Sequence, residues 1–185
     1  CDEDNAGLFQ ALRSAGRVHC AFVFDREILD ALPRADRRVE FIHASLAELR
    51  DSLRRRGGDL IVQHARAVEA VPALARRLGV DAVFANGDYE PAATARDAAV
   101  EKALAADGRR MHRAKDQVLF EKDEVLTRAG RPFNVFTPYR NAWLAMLEPF
   151  HLDAHDVAAH ATALARAPFD TALPSLEELG FSRTN

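Results

Sequence analysis

Cysteine is nearly absent: Cys1 and Cys20 are the only two in 185 residues, too few for a disulfide framework. Cys20 lies inside the apolar run Val18–Phe24 and reads as a small core residue. A reducing, cytoplasmic setting is the expectation. Long hydrophobic runs are missing too. No stretch approaches the ~20 apolar residues of a membrane span, and no basic-then-apolar segment opens the chain as a secretory signal would. A strong charge of either sign is also lacking. The formal net charge of -3 gives no general attraction to nucleic acid, so DNA contact would need a local patch or another domain.

Several chemical signatures are absent. There is no G-x-G-x-x-G after a strand and no Gly-rich loop ending in Lys-Ser or Lys-Thr, which argues against a dinucleotide dehydrogenase or a P-loop NTPase. Ser14, Ser45 and Ser52 fall on helical patterns rather than strand-to-helix elbows, so no nucleophilic triad assembles and no catalytic residue is assigned. His151, His155 and His160, with Asp153 and Asp156 among them, could bring one pair to a metal on a helix. A solvated tail explains them more simply, and no metal site is assigned. The basic runs Arg54–Arg56 and Arg109–Arg110 read as solvated faces that complement helix C-termini, with a phosphate contact as the lesser alternative.

What is present is alternation. Val18–Phe24, Leu60–Gln63, Ala82–Ala85 and, more weakly, Arg110–His112 read as strands. The first and third carry almost no polar interruption, as strands covered on both faces should. Helical patterns separate them: Asn5–Ala15, a long stripe of Val39, Ile42, Leu46, Leu49 and Leu53, then Ala67–Leu78 and Pro91–Ala106. Asp36 is the expected N-cap of the long helix, and Gly57–Gly58 its stop. Pro72 sits near the start of its helix or kinks it. Such alternation predicts a doubly wound, Rossmann-like α/β fold: a parallel sheet of about five strands with helices on both faces. Thr127–Pro132 reads as a turn between short extended pieces, and Thr137 and Pro138 as the N-cap and first residue of a helix ending before Pro149. A domain edge is expected there, with residues 1–149 as the α/β unit. Residues 150–185 are then a linker carrying a weak helix near Asp153–Ala165.

In an open parallel sheet, ligands bind beyond the carboxyl ends of the strands. Asp25, His64 and the turn Asn86-Gly-Asp-Tyr-Glu90 occupy those ends. The turn offers two carboxylates, an amide and a phenol to a polar ring system at a helix N-terminus. A plainer reading makes Asn86-Gly87 a turn and Asp88 a cap.

Three stretches together resemble one family. Asp4-Asn5-Ala6 before a helix is similar to the Asp-Asn-x-Ala/Gly-Leu start of the first helix in the DNA photolyase and cryptochrome family. Asn86-Gly-Asp-Tyr-Glu-Pro91 with Ala95-Arg-Asp97 resembles the family's Asn-x-Asp-x-Glu-Pro…Arg-Asp segment. Val135-Phe-Thr-Pro-Tyr-Arg-Asn-Ala-Trp-Leu144 resembles its Val-Phe-Thr-Pro-Phe/Tyr-x-x-Ala-Trp signature, which leads into an interdomain linker. Order and spacing agree over nearly the whole chain.

The resemblance implies the light-harvesting domain of a deoxyribodipyrimidine photolyase. In that family a separate helical domain holds FAD, binds damaged DNA and splits the pyrimidine dimer, so that domain is the implied partner. A cryptochrome-like photoreceptor and a free-standing α/β nucleotide-binding module are the alternatives. Folate-binding members carry an Asn-Glu pair where this chain has Ala92 and Ala93, so methenyltetrahydrofolate is disfavoured. The resemblance favours a deazaflavin or flavin pigment instead, with Phe24, Asp25, Arg38, Asp88, Glu90 and Arg96 as its binding residues, and a site that holds no pigment is the alternative. The family also begins with an apolar strand and an Arg-Asp-Leu-Arg loop, and that strand is central in its sheet. Only Cys1-Asp-Glu precede Asp4 here. An apolar strand from residues preceding Cys1 is therefore expected between Val18–Phe24 and Ala82–Ala85.

Overall fold

The computed structural model of the protein describes residues 2–184. Its elements alternate as the pattern predicts: α1 (Ala6–Ser14), β1 (Cys20–Asp25), α2 (Arg26–Leu29), α3 (Arg37–Arg55), β2 (Leu60–Ala65), α4 (Ala67–Leu78), β3 (Ala82–Asn86), α5 (Pro91–Ala106), β4 (Arg110–Ala114) and α6 (Phe136–Met146). Local chemistry sets the helix boundaries. Asn5 caps α1 by accepting from the Leu8 amide, and Asp36 caps α3 by accepting from the Arg38 amide. Gly79 ends α4 in the left-handed conformation that an L side chain resists. Pro91 opens α5, where no amide donor is needed. Pro72 lies inside α4 and is buried.

Two differences from the sequence reading are local. The short helix α2 has too few residues to show periodicity; it forms because the Asp25 carboxylate caps it. The last helix starts two residues earlier than expected, with Val135 rather than Thr137 at the N-cap and no capping side chain. Thr127–Arg131 is a hydrogen-bonded turn, as expected, with Gly130 at a φ of 69°.

All strand pairing is parallel. β1 pairs with β2 from Cys20↔Leu60 to Asp25↔Ala65, and β3 with β4 from Ala82↔Arg110 to Asn86↔Ala114. These are two separate pairs, and among the described residues no ladder joins β1 to β3. Both strands instead line one cleft of about 1530 Å³, together with residues of α1, α4 and α5. That is the arrangement the expected strand order requires, with a central position between β1 and β3.

Two cores cover the faces. The larger joins Leu12 of α1, Phe24 of β1, Val39, Leu46 and Leu53 of α3, and Leu60 of β2. The smaller joins Ala75 of α4 to Val100 and Leu104 of α5, with Val83 and Met111 packed against them. Of the long-helix stripe, Val39, Leu46 and Leu53 are buried, whereas Ile42 is open to solvent.

The segment after Glu148 lies against the α/β unit. Val157, Leu164, Leu176, Leu179 and Phe181 are buried in the larger core. The Val18 and Ala165 amides bond to the Ala163 and Val18 carbonyls, adding a bridge beside β1. Each such buried side chain contributes roughly 1.5–3 kcal/mol, which fixes the segment without regular helix. The weak helix near Asp153–Ala165 is realised as a 3-10 turn, Ala158–Ala163.

A strand-width cleft between two parallel pairs predicts a specific exchange pattern. Backbone groups unpaired in a dry interior cost roughly 1–3 kcal/mol each, so in the intact protein a parallel strand is expected between β1 and β3. The β1 and β3 amides that do not bond to β2 or β4 should then resist deuterium exchange as well as the paired ones do. Exchange at the rate of open loops would show that no strand fills the position.

Candidate functional site

The carboxyl ends of β3 and β4 are tied to the start of α1 by a three-part clamp. The Ala6 amide donates to Asp116 Oδ1 and the Gly7 amide to Asn86 Oδ1, each at 2.8 Å. Asn86 Nδ2 in turn donates to Asp116 Oδ2 at 2.8 Å. With Asn5 on the Leu8 amide, the first donors of α1 are all consumed by side chains. Gly7 is required by this close approach: a Cβ there would stand 2.7 Å from Asn86 Oδ1. The Asn86 and Asp116 roles were not expected from the sequence, because only the fold brings residues 7, 86 and 116 together.

The expected pigment residues divide into two groups. Asp25 and Arg96 both line the central cleft. Asp25 is buried, and its carboxylate accepts from the Glu27 amide at 3.1 Å and the Ala67 amide at 3.3 Å, capping two helices at once. Arg96 forks onto the buried Asp97 through Nε at 3.0 Å and a terminal nitrogen at 2.8 Å. Asp88, Glu90, Arg38 and Phe24 do not line that cleft.

Asp88 folds its carboxylate back onto the Tyr89 and Glu90 amides at 2.6 and 3.1 Å, the turn-capping role of the plainer reading. Glu90 is the exposed N-cap residue of α5, and its side chain makes no capping bond. Arg38 clasps Asp36 at 2.6 and 3.0 Å while its side chain stays 71% exposed. The Arg38 hydrogen bond holds the Asp36 carboxyl down at about 2. Phe24 is buried in the core, edge-on to Phe22 at 5.0 Å, and supports the site from within.

Tyr89 reaches the following loop, where its hydroxyl donates to Glu121 at 2.6 Å. That bond is the main reason its phenol is pushed up to about 12. Lys115 bonds Glu124 at 2.8 Å and lies over the Phe120 ring. Phe120 in turn meets Trp143 edge-on at 5.4 Å. The Asn86–Glu90 turn is thus braced from the loop after β4. Beyond β1 and β2 a second, open cleft of about 570 Å³ is lined by Arg26, Glu27, Asp30, Ala31 and Arg66. Its arginines are engaged, Arg26 with Asp30 and Arg66 with Glu27 and Glu69.

Parallel strand pairs joined by helices, with polar groups gathered at the carboxyl edge, place the chain in the doubly wound α/β class. Comparison with known proteins gives the family: the DNA photolyase family model matches residues 3–164, and the chain belongs to that family. The deoxyribodipyrimidine photo-lyase of Halobacterium salinarum is 39% identical over 195 residues, an alignment covering 97% of this chain and 38% of that protein. The crystal structure of a bacterial class III photolyase from Agrobacterium tumefaciens superposes with a TM-score of 0.77 at 27% identity, covering 95% of this chain and 35% of that one. The archaeal photolyase from Sulfolobus tokodaii, 24% identical, matches in fold with a TM-score of 0.65 over 92% of this chain and 41% of its own; that protein holds two FAD molecules, with a novel light-harvesting cofactor implied. The chain thus spans under half the length of these relatives.

The clamp and the brace make two predictions. Gly7→Ala and Asn86→Ala should each destabilise the fold by roughly 1–3 kcal/mol, the first by overpacking and the second by stranding the buried Gly7 amide; denaturant titration reads both. The Tyr89 phenol should ionise near 12 rather than the usual 10.0, and Glu121→Gln should lower that midpoint in an ultraviolet phenolate titration. Because the folded pKa is raised, the stability this bond supplies is complete below pH 10 and fades as pH climbs toward 12.

Proposed function

We propose that this chain is the light-harvesting domain of a deoxyribodipyrimidine photolyase and binds a deazaflavin or flavin pigment at the carboxyl edge of its sheet. The repair chemistry then belongs to a further, FAD-binding domain of the same protein, which is also the part that meets damaged DNA. The observation that carries this reading is the carboxyl edge itself. Asp25 stands at the end of β1, Asp88 and Glu90 sit on the turn leading from β3 into α5, and the chain belongs to a family of photolyases.

The residues present fit a flavin-type ring. A carboxylate offers about four acceptor positions. Asp25 and Asp88 each spend two on backbone amides, which leaves capacity for ring N–H donors. The exposed Arg38 guanidinium suits a pigment phosphate or carboxylate, although it must share itself with Asp36. Ala92 and Ala93 at the start of α5 carry no hydrogen-bonding side chain, which disfavours a pterin. When bound, the pigment supplies absorption of light and transfer of the excitation to a reduced flavin.

Reconstitution of the full-length protein with deazaflavin, flavin and methenyltetrahydrofolate in turn provides the test. A flavin-type pigment should bind, and Asp88→Ala or Arg38→Ala should each weaken it about tenfold or more, the loss of one charge-assisted hydrogen bond. Tight methenyltetrahydrofolate binding that survives both changes would overturn the assignment.

A further inference from the structure

The turn that carries Asp88 and Glu90 is anchored on both sides of Asp88, and both anchors run to the chain at the end of β4 and beyond it. On one side the Gly87 amide donates to the Ala114 carbonyl at 2.9 Å. On the other the Tyr89 hydroxyl donates to Glu121 Oε1, 32 residues away, at 2.6 Å. Between the anchors the Asp88 carboxylate accepts from the Tyr89 and Glu90 amides.

Glu121 is itself held. It is the N-cap residue of the 3-10 turn Lys122–Glu124, where its carboxylate accepts from the Glu124 amide and the Glu124 carboxylate accepts from the Glu121 amide. Lys115, the first residue after β4, bonds both Glu124 carboxylate oxygens, at 2.8 and 3.0 Å. Lys122 has a φ of 36°, the one positive φ of a non-glycine residue among those described. A lysine in that conformation persists where the surrounding bonds over-determine it, and such residues gather at ligand clamps.

Global stability does not explain the arrangement. Tyr89 is 36% exposed, Glu121 is half-buried, and neither packs into a core. A hydrogen bond at the surface replaces one to water and adds little to the fold. What this one removes is freedom of the turn. The same bond pushes the phenol up to about 12, so the hydroxyl remains a donor throughout the neutral range.

We infer that Tyr89 and Glu121 are positioning residues of the pigment site, their hydrogen bond holding the Asp88–Glu90 turn in the shape that meets a flavin-type ring. This deepens the reading above and rests on it for the ligand. Asp88 and Glu90 lose less freedom when the pigment arrives, so the bond is felt in affinity although it acts through Asp88 rather than on the pigment.

Two measurements on the full-length protein test it. The first needs no pigment. Tyr89→Phe removes the hydroxyl and keeps the ring, and should speed deuterium exchange at the position-89 and Glu90 amides about fivefold or more, the effect of one ordinary hydrogen bond. The second is fluorescence titration with FMN and with 5-deazariboflavin. Tyr89→Phe and Glu121→Ala should each weaken binding about fivefold, and the double variant no more than either alone. Glu121→Gln, which keeps an acceptor for the hydroxyl, should bind nearly as the wild type does. Asp123→Ala, at an exposed position of the same turn, should change nothing. Pigment binding with unchanged exchange in Tyr89→Phe overturns the inference alone. So does an additive loss in the double variant, or a Glu121→Gln protein as weak as Glu121→Ala. If neither pigment binds the wild-type protein, the proposed function falls whatever the exchange shows.

Discussion

The structure depends on α1 serving as a tie between two strand pairs that do not bond to each other. At its N-terminus the helix is pinned to the ends of β3 and β4 through Asn86 and Asp116. Farther along, Leu12 enters the core shared by α3, β1 and β2. One nine-residue helix thus reaches both halves of the sheet. The tie is directional: helix amides carry partial positive charge, and the Asp116 carboxylate meets them. Besides this tie, α4 packs on β1 and on α5, which in turn packs on β4.

That dependence explains why so many polar groups at the carboxyl edge are structural before they are anything else. Asp25 caps α2 and contacts the start of α4, Asp88 caps its own turn, Asp36 clasps Arg38, and Asp97 receives Arg96. In a parallel sheet the helix N-termini gather at this edge, so their orphan donors demand acceptors there. A ligand arriving at the edge meets carboxylates already oriented by backbone amides. Their rotamers are set in advance, which reduces the ordering cost of binding.

How much of this was legible in the sequence follows from which signals are local. Strand and helix order, the Asp36 cap and Pro91 as a start all depend on residues within a turn of one another and were read correctly, whereas Asn5, read as the first residue of its helix, is the cap that precedes it. The separation of β1 from β3 was also legible, because the family resemblance supplies the strand order. The Asn86–Asp116–Gly7 clamp was not, since its members lie 79 and 110 residues apart and each alone looks like an ordinary turn residue. The same limit hid the fate of residues 157–181. Val157, Leu164, Leu176, Leu179 and Phe181 show no strand or helix period, so the sequence gives no reason to bury them. Only the α3 face they cover does.

The contrast between that segment and α6 is the last consequence. Residues 157–181 lack periodicity and are buried, whereas α6 has regular structure and is not. Regular structure satisfies backbone hydrogen bonds locally, so a helix can form with one face uncovered. An irregular segment has no such internal satisfaction, and packing against the core together with the Val18–Ala165 bridge holds it in place. Regular elements elsewhere leave apolar side chains open in the same way, as α3 does at Phe41 and Ile42. In α6 the backbone bonds are closed along the helix itself, so its order holds with the face uncovered.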